Sequence, residues 1–335
     1  MNIARLHSIK SDIDISVIIP TYNRIFMLKE ALQSVLAQDF KGTVEMIVVD
    51  DNSSDDTVKT IAQTYPEVRL IYLSQNQGAY VARNQALQIA KGQYIAFLDS
   101  DDIWKKNYLS SQILALETYK KNISVSALIL WYTQTNEKII ALQKPDLERF
   151  ISPFHQLLVR SSFIHSPSSI MLKREVFERV GLFDESFRIG ADREFYTRCY
   201  IHGYQPIFTE QPLVLVRKHN QGQLTDFNLS KIELRKQSRL TYLERLSPLI
   251  VQQNLKLLSM DRLYAEIYST SAREFYREKY YFHWIKSWIE VAKYMSIQYA
   301  VLNILRDLFR FTKPYLLPSV LNFIKKLFLS NSLST

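Results

Sequence analysis

The sequence predicts an α/β protein: a mostly parallel, doubly wound sheet with flanking helices, followed by an all-α region. Three observations carry that expectation. Over the first hundred residues, short β-branched and aromatic runs alternate with helix-length segments, the pattern of βαβ units. The runs are almost continuously hydrophobic, as in strands buried on both faces. After about residue 228 glycine disappears and the apolar spacing becomes helical.

The elements follow in order. "ISVIIP" (15–20), "EMIVV" (45–49), "RLIYL" (69–73) and "QYIAFL" (93–98) are predicted strands, with helices over 25–37, 55–64 and 79–91 between them. In such sheets ligands sit beyond the carboxyl ends of the strands. "PTYNR", "DDNSSDD" and "DSDD" all fall at that edge, so three polar clusters should meet on one rim. Ser53 or Ser54, followed by acidic residues, reads as a capping box for the helix at 55–64. Residues 104–225 read as irregular, with one strand at 125–132 and a short helix within 173–187 closed by Gly181. In the helical region, Phe275, Tyr276, Tyr280, Tyr281, Trp284 and Trp288 are spaced mostly for a packed helix face.

Composition narrows the function. The 335 residues are 47% hydrophobic and 22% charged, which is globular rather than disordered. A lone cysteine, Cys199, excludes an internal disulfide and suits a reducing compartment. The first fourteen residues hold no signal-peptide apolar core, and no run reaches the roughly 18 apolar residues of a membrane span. These features point to a cytoplasmic protein, soluble or held peripherally at a membrane. From Asp226 onward there are 17 Lys+Arg against 9 Asp+Glu, a net of +8 out of a total of +9. A basic final third suits an anionic partner, although a solvated helical face has the same composition.

The first strand ends in "PTYNRI" without glycine, there is no P-loop, and the whole chain has seven glycines. A backbone-cradled diphosphate is therefore not expected. "DSDD" supplies another solution: Asp99, Asp101 and Asp102 offer oxygen ligands for Mg²⁺ or Mn²⁺, which bind through one or two carboxylates plus substrate phosphates. Aspartate at a helix cap is common, but three exceed what a cap needs. Asp50 and Asp51 stand at another strand end, where Asp51 could accept a hydrogen bond from a nucleobase.

"SVIIPTYNR", "VVDDNSSDDT", "NQGAYVARNQAL", "GQYIAFLDSDD" and "FERVGLFDESF…ADREFYTR" occur in that order over roughly 14–220. This succession resembles family-2 inverting glycosyltransferases of the GT-A fold. The resemblance implies a catalytic domain over 1–225, with a donor half at about 14–103 and an acceptor half at about 104–225, and then a basic helical region over 226–335. It also implies a nucleotide-sugar donor, usually UDP-linked, a divalent Mn²⁺ or Mg²⁺, a glycan or lipid-linked acceptor, and no nucleic acid. Pro20, Thr21 and Tyr22 would line the nucleoside site with Arg24 nearby, and Asp51 would contact uracil. Asn76 and Arg83 would approach base and diphosphate, though Arg83 could equally be an ordinary salt-bridging helix residue. Asp99 would touch ribose or metal and Asp101 would ligate the metal. His219 would complete that site, or be structural as lone histidines often are. The family's Glu-Asp pair appears here as Ala191 and Asp192, so Asp192 would be the catalytic base, with Glu194 as the competing carboxylate.

Other classes fit less well. A phosphatase nucleophile motif fails at "DSDDI", and a nucleotidyltransferase needs a glycine-rich basic loop after the first strand. A helical scaffold with a vestigial nucleotide-binding domain would be free to lose Asp99, Asp101, Asp192 and His219. In the tail, Leu317, Val320, Leu321, Ile324 and Phe328 form one stripe beside Lys325 and Lys326. That stripe suits an anionic membrane surface, and equally docking on the helical array or on a second copy in a homo-oligomer.

Overall fold

The computed structural model describes residues 12–160, 162–219 and 228–311, without side chains beyond 307. The chain divides into two compact units, one reaching Gln223 and the other built mainly from Leu224 onward.

The first unit begins as expected. Strand β1 (Ile15–Thr21) is buried along its whole length and pairs in parallel with β2 (Val44–Asp50) and β4 (Tyr94–Phe97), while β3 (Val68–Tyr72) adds to β2 and forms the half-exposed edge. Helices α1 (Ile25–Leu36), α2 (Thr57–Thr64) and α3 (Ala79–Ile89) connect them. Thr21 stands level with Asp50 in the β1–β2 register, so both strands deliver their polar ends to one height. Leu28, Leu32 and Val35 of α1 bury against Val17, Ile19, Met46 and Val48 of the sheet.

Residues 104–218 are far more regular than expected. They supply β5 (Ile103–Trp104), α4 (Tyr108–Thr118), β6 (Ile123–Tyr132), β7 (Glu137–Ala141), α5 (Pro153–Val159), β8 (Ile170–Lys173), α6 (Glu175–Val180), α7 (Ala191–Ile201) and β9 (Ile207–Lys218). The sheet runs β3-β2-β1-β4-β8-β6-β9-β5, with β7 on β6. The strand expected at 125–132 is present within β6, and two features obscured its start and β9. Ser124 and Ser126 are fully buried in β6 and interrupt its apolar run. In β9, Pro212 lies opposite Ala127 where the β6–β9 register shifts; a proline without a ladder donor belongs at such an irregularity. Helix α6 is closed by Gly181 as predicted, with φ 88° in the left-handed region.

The expected capping box at Ser53 or Ser54 is not what forms. Helix α2 starts after Asp56, which makes no side-chain cap, and Asp55 accepts from the Thr57 amide at 3.1 Å instead. The two serines bond to Asn23 and Asp50, as described below.

The second unit packs α8 (Leu229–Gln252), α9 (Met260–Arg277), α10 (Tyr281–Tyr294) and α11 (Ile297–Phe311) around Phe275, Tyr276, Trp284 and Trp288. Tyr280 is half-buried and packs against this cluster, whereas Tyr281 is 51% exposed and is not core. No helix among the described residues is long and apolar enough to cross a membrane. The basic stripe around Leu317 and Lys325 lies outside the described residues.

An aromatic cluster fixes α7 behind β4. Phe195 is fully buried, stacks on Phe177 with centroids 5.0 Å apart, and lies 4.9 Å from Phe183, which meets Phe97 of β4 at 5.6 Å. Truncating a buried phenylalanine removes its transfer free energy and leaves a cavity, together about 3–5 kcal/mol. Phe195→Ala should destabilise the first unit by about that amount in urea unfolding; a loss below about 1 kcal/mol would show that α7 is held by something else.

Candidate active site

The rim is assembled by short polar bonds between strand ends. Asp51 N donates to Thr21 O at 2.8 Å. Asn23 and Asn52 turn the chain with φ of 51° and 66°, a left-handed conformation that asparagine tolerates better than most residues. Asn23 N donates to Ser53 Oγ at 2.8 Å, Asn23 Oδ1 accepts from Ser54 N at 2.7 Å, and Asp50 accepts from Ser53 N at 2.9 Å. "PTYNR" and "DDNSSDD" are thus latched together. Pro20 and Thr21 are buried, Tyr22 is 45% exposed, and Thr21 Oγ1 is buried with no hydrogen-bond partner among the described residues.

Asp51 organises the next loop. Its two carboxylate oxygens accept from Gln77 N at 2.7 Å and Gly78 N at 2.8 Å, and its carbonyl accepts from Asn76 Nδ2 at 3.3 Å. Gly78, with φ 95°, makes the turn that aims both amides at one carboxylate. Asp51 and Asn76 are therefore neighbours, and α3 is anchored to the end of β2.

The three aspartates of "DSDD" separate into different environments. Asp99 is paired with Arg83 at 2.5 Å; Asp101 Oδ2 meets Arg24 at 2.6 Å and His219 Nε2 at 3.1 Å. Asp102 is buried, accepting from Ser168 Oγ at 2.6 Å, Ser166 Oγ at 3.1 Å and Arg217 N at 3.3 Å. The same Ser168 oxygen accepts from Asp99 N at 2.9 Å. Burial raises the Asp102 carboxyl well above the usual range, reinforced by the charges of Asp101 and Asp99. Asp99 is also raised, by burial first, with Arg83 opposing. At Asp101 burial pushes upward, but the His219 hydrogen bond and the Arg24 charge outweigh it and hold the group low. Asp101 is thus the one of the three whose carboxyl is held below its ordinary range, and an ionised carboxylate is what a cation requires.

Among the described residues no three His, Cys, Asp or Glu side chains gather closely enough to hold a metal by themselves. Asp101 and His219 form a carboxylate–imidazole pair, and Asp99 is turned to Arg83 instead. One or two protein ligands plus substrate phosphates is the usual arrangement for Mg²⁺, and imidazole also suits Mn²⁺. The pair therefore fits such an ion, in place of Arg24 at Asp101.

Helix α7 is preceded by its cap residue Gly190, whose φ of 90° suits glycine. Ala191 is fully buried, and the half-buried Asp192 follows it, accepting from Tyr80 Oη at 3.0 Å. Glu194 is differently engaged: Arg198 grips it through Nε at 2.7 Å and Nη2 at 2.8 Å, and donates to the carbonyls of Val180 and Leu182 at 2.5 and 2.7 Å. The i,i+4 spacing of Glu194 and Arg198 encodes that pair. Tyr80, Ser166 and Ser168 were not singled out from the sequence. Only Tyr80 left a trace there, one helical turn before Arg83.

Comparisons with known proteins supply the family and the fold. Residues 16–181 match the model for glycosyl transferase family 2. The chain is 30% identical over 226 residues to the uncharacterised glycosyltransferase RT0329 of Rickettsia typhi, covering 65% of this chain and 68% of that one. It is 44% identical over 114 residues to WfaP of Escherichia coli, a UDP-Glc:α-D-GlcNAc-diphosphoundecaprenol β-1,3-glucosyltransferase, where the match covers 33% of this chain and 45% of that protein's length. The fold matches that of Staphylococcus aureus TarS residues 1–349, solved with UDP-GlcNAc, at a TM-score of 0.58 and 18% identity over 85% of this chain and 82% of that one. The fold is that of a GT-A transferase. This chain belongs to glycosyl transferase family 2.

Arg198 and Glu194 make a nearly dry pair, at 14% and 6% side-chain exposure. Breaking a buried pair strands the remaining charge at a loss of about 3–5 kcal/mol. Arg198→Ala should therefore lower unfolding free energy by about that much, while Asp192→Asn shifts it by less than about 1 kcal/mol. The reverse order in chemical denaturation would make Asp192 the structural carboxylate.

Proposed function

We propose that the chain is a metal-dependent inverting transferase that moves one sugar from a UDP-linked donor to a hydroxyl of a glycan or lipid-linked oligosaccharide, in cell-surface glycan biosynthesis. The observation that carries the reading is the contrast between Asp192 and Glu194. Glu194 is consumed by Arg198, whereas Asp192 is half-buried, held through one oxygen, and joined through α3 to the Asp99–Arg83 pair. The UDP-glucose donor and diphosphoundecaprenol-linked acceptor in the name of WfaP support the choice of substrates.

The roles follow from position. Pro20, Thr21, Tyr22, Asp51 and Asn76 surround the nucleoside, with the buried Thr21 hydroxyl available to it. Arg24 and Arg83 bring positive charge to the diphosphate side, and Asp99 is placed for ribose. Asp101 and His219 would hold Mn²⁺ or Mg²⁺, which supplies Lewis-acid stabilisation of the departing diphosphate. Asp192 takes the proton of the acceptor hydroxyl as its oxygen bonds to the anomeric carbon. The bond from that carbon to the diphosphate breaks in the same step, and UDP leaves with the electron pair. A single displacement inverts the anomeric configuration. We assign this chemistry to residues 1–225 and treat 226–335 as a basic helical region suited to an anionic cytoplasmic membrane face or a second subunit.

General-base catalysis contributes about 10²–10⁴-fold, so Asp192→Asn should lower kcat by that factor against a panel of UDP-sugars. Donor affinity should remain near wild type, because the amide keeps the volume and the donor-side residues are untouched. A mild loss in Asp192→Asn beside a severe one in a folded Glu194→Gln would transfer the base role to Glu194.

A further inference from the structure

We propose that Tyr80 is a positioning residue for the base: its hydroxyl aims the Asp192 carboxylate at the acceptor, and its helix α3 sets that aim relative to the donor-side pair Arg83–Asp99. The proposal rests on the assignment of Asp192 as base.

The phenol makes two bonds of opposite sense. Tyr80 Oη donates to Asp192 Oδ1 at 3.0 Å and accepts from Gly190 N at 3.2 Å. One oxygen therefore spans the residue that starts α7 and the carboxylate two positions later, fixing where the side chain points relative to its own backbone. Asp192 Oδ2 carries no hydrogen bond among the described residues, which leaves it for the acceptor hydroxyl. A buried phenol hydroxyl needs a partner, and this one uses both its donor and acceptor capacity on α7.

The ring cannot swing away. Tyr80 is 8% exposed, its ring lies 5.9 Å from that of Phe183, and the Arg83 guanidinium sits over it at 5.5 Å. Arg83 continues to Asp99 at 2.5 Å. One turn of α3 thus presents two side chains, one to the base and one to the donor-side carboxylate. Asn84, the next residue, bonds to both the N–H and C=O of Phe183 at 3.1 and 2.9 Å, fastening the loop that leads to Gly190. Burial, then the Asp192 charge, raises the Tyr80 phenol far above its ordinary value, so it remains a donor throughout the working range. The ionisable groups facing Asp192 are Tyr80 and Arg83 from α3 and Tyr196 from α7.

Tyr80→Phe keeps the ring and removes the hydroxyl. Small misplacements of a reacting group can lower rates by up to about 10²-fold, so kcat should fall about 10- to 100-fold while KM for the donor stays within about twofold. Tyr80→Phe added to Asp192→Asn should lower kcat no further. If Tyr80→Phe does not fold, 3,5-difluorotyrosine at position 80 keeps the ring in place and alters the strength of the donor, and kcat should change while KM for the donor stays within about twofold. A folded Tyr80→Phe, or the fluorinated protein, with wild-type kcat overturns the proposal for Tyr80 alone. Full activity in Asp192→Asn overturns the base assignment beneath it.

Discussion

Everything at this rim depends on neutralising carboxylates that the fold forces together. Asp99, Asp101 and Asp102 lie within four positions at the end of β4, and like charges so close are tolerated only with counter-charges or hydrogen bonds. Arg24 meets Asp101 just before α1, Arg83 meets Asp99 from the middle of α3, and Ser166 and Ser168 hold Asp102. Each neutralising group comes from a different segment. Satisfying the charges therefore also sets α1, α3 and the 166–168 turn against one strand end. An ion arriving with a diphosphate would take over Arg24's task at Asp101 rather than enter an empty cage.

The same economy appears on the acceptor side. Helix α3 is anchored by Asp51 through the amides of Gln77 and Gly78, and presents Tyr80, Arg83 and Asn84 along one face. Asp99 and Asp192, which we propose for the donor and acceptor sides, are thus referenced to one rigid element rather than to two loops. Rigid support of this kind is what in-line displacement requires, since attacking and leaving oxygens must be aligned within a fraction of an ångström.

The legibility of this design in the sequence was uneven for physical reasons. Strands β1 to β4 are buried on both faces, and such runs announce themselves in composition. Strand β6 was legible over 125–132, but its start and β9 were not, because Ser124 is buried with a polar side chain and Pro212 sits at a register shift. The acidic clusters were visible because three carboxylates in four positions are rare without a purpose. Their partners were less so, since Ser166 and Ser168 reach Asp102 from about 65 residues away in the chain. Ser53 and Ser54 carried a plausible local cap signal, and a tertiary contact to Asn23 claimed them instead. Local pattern identifies groups that need partners; it does not say which distant residue supplies them.

The central claim is that the Asp101–His219 pair serves a cation that binds together with the donor diphosphate. Calorimetric titration of UDP into the wild-type protein, with Mn²⁺ and then with EDTA, tests it directly. Our account predicts that affinity falls at least about tenfold on chelation, roughly 1.4 kcal/mol, and that Asp101→Ala binds UDP equally weakly under both conditions. Equal wild-type affinity with and without the metal would contradict it, leaving Arg24 and Arg83 to carry the diphosphate alone.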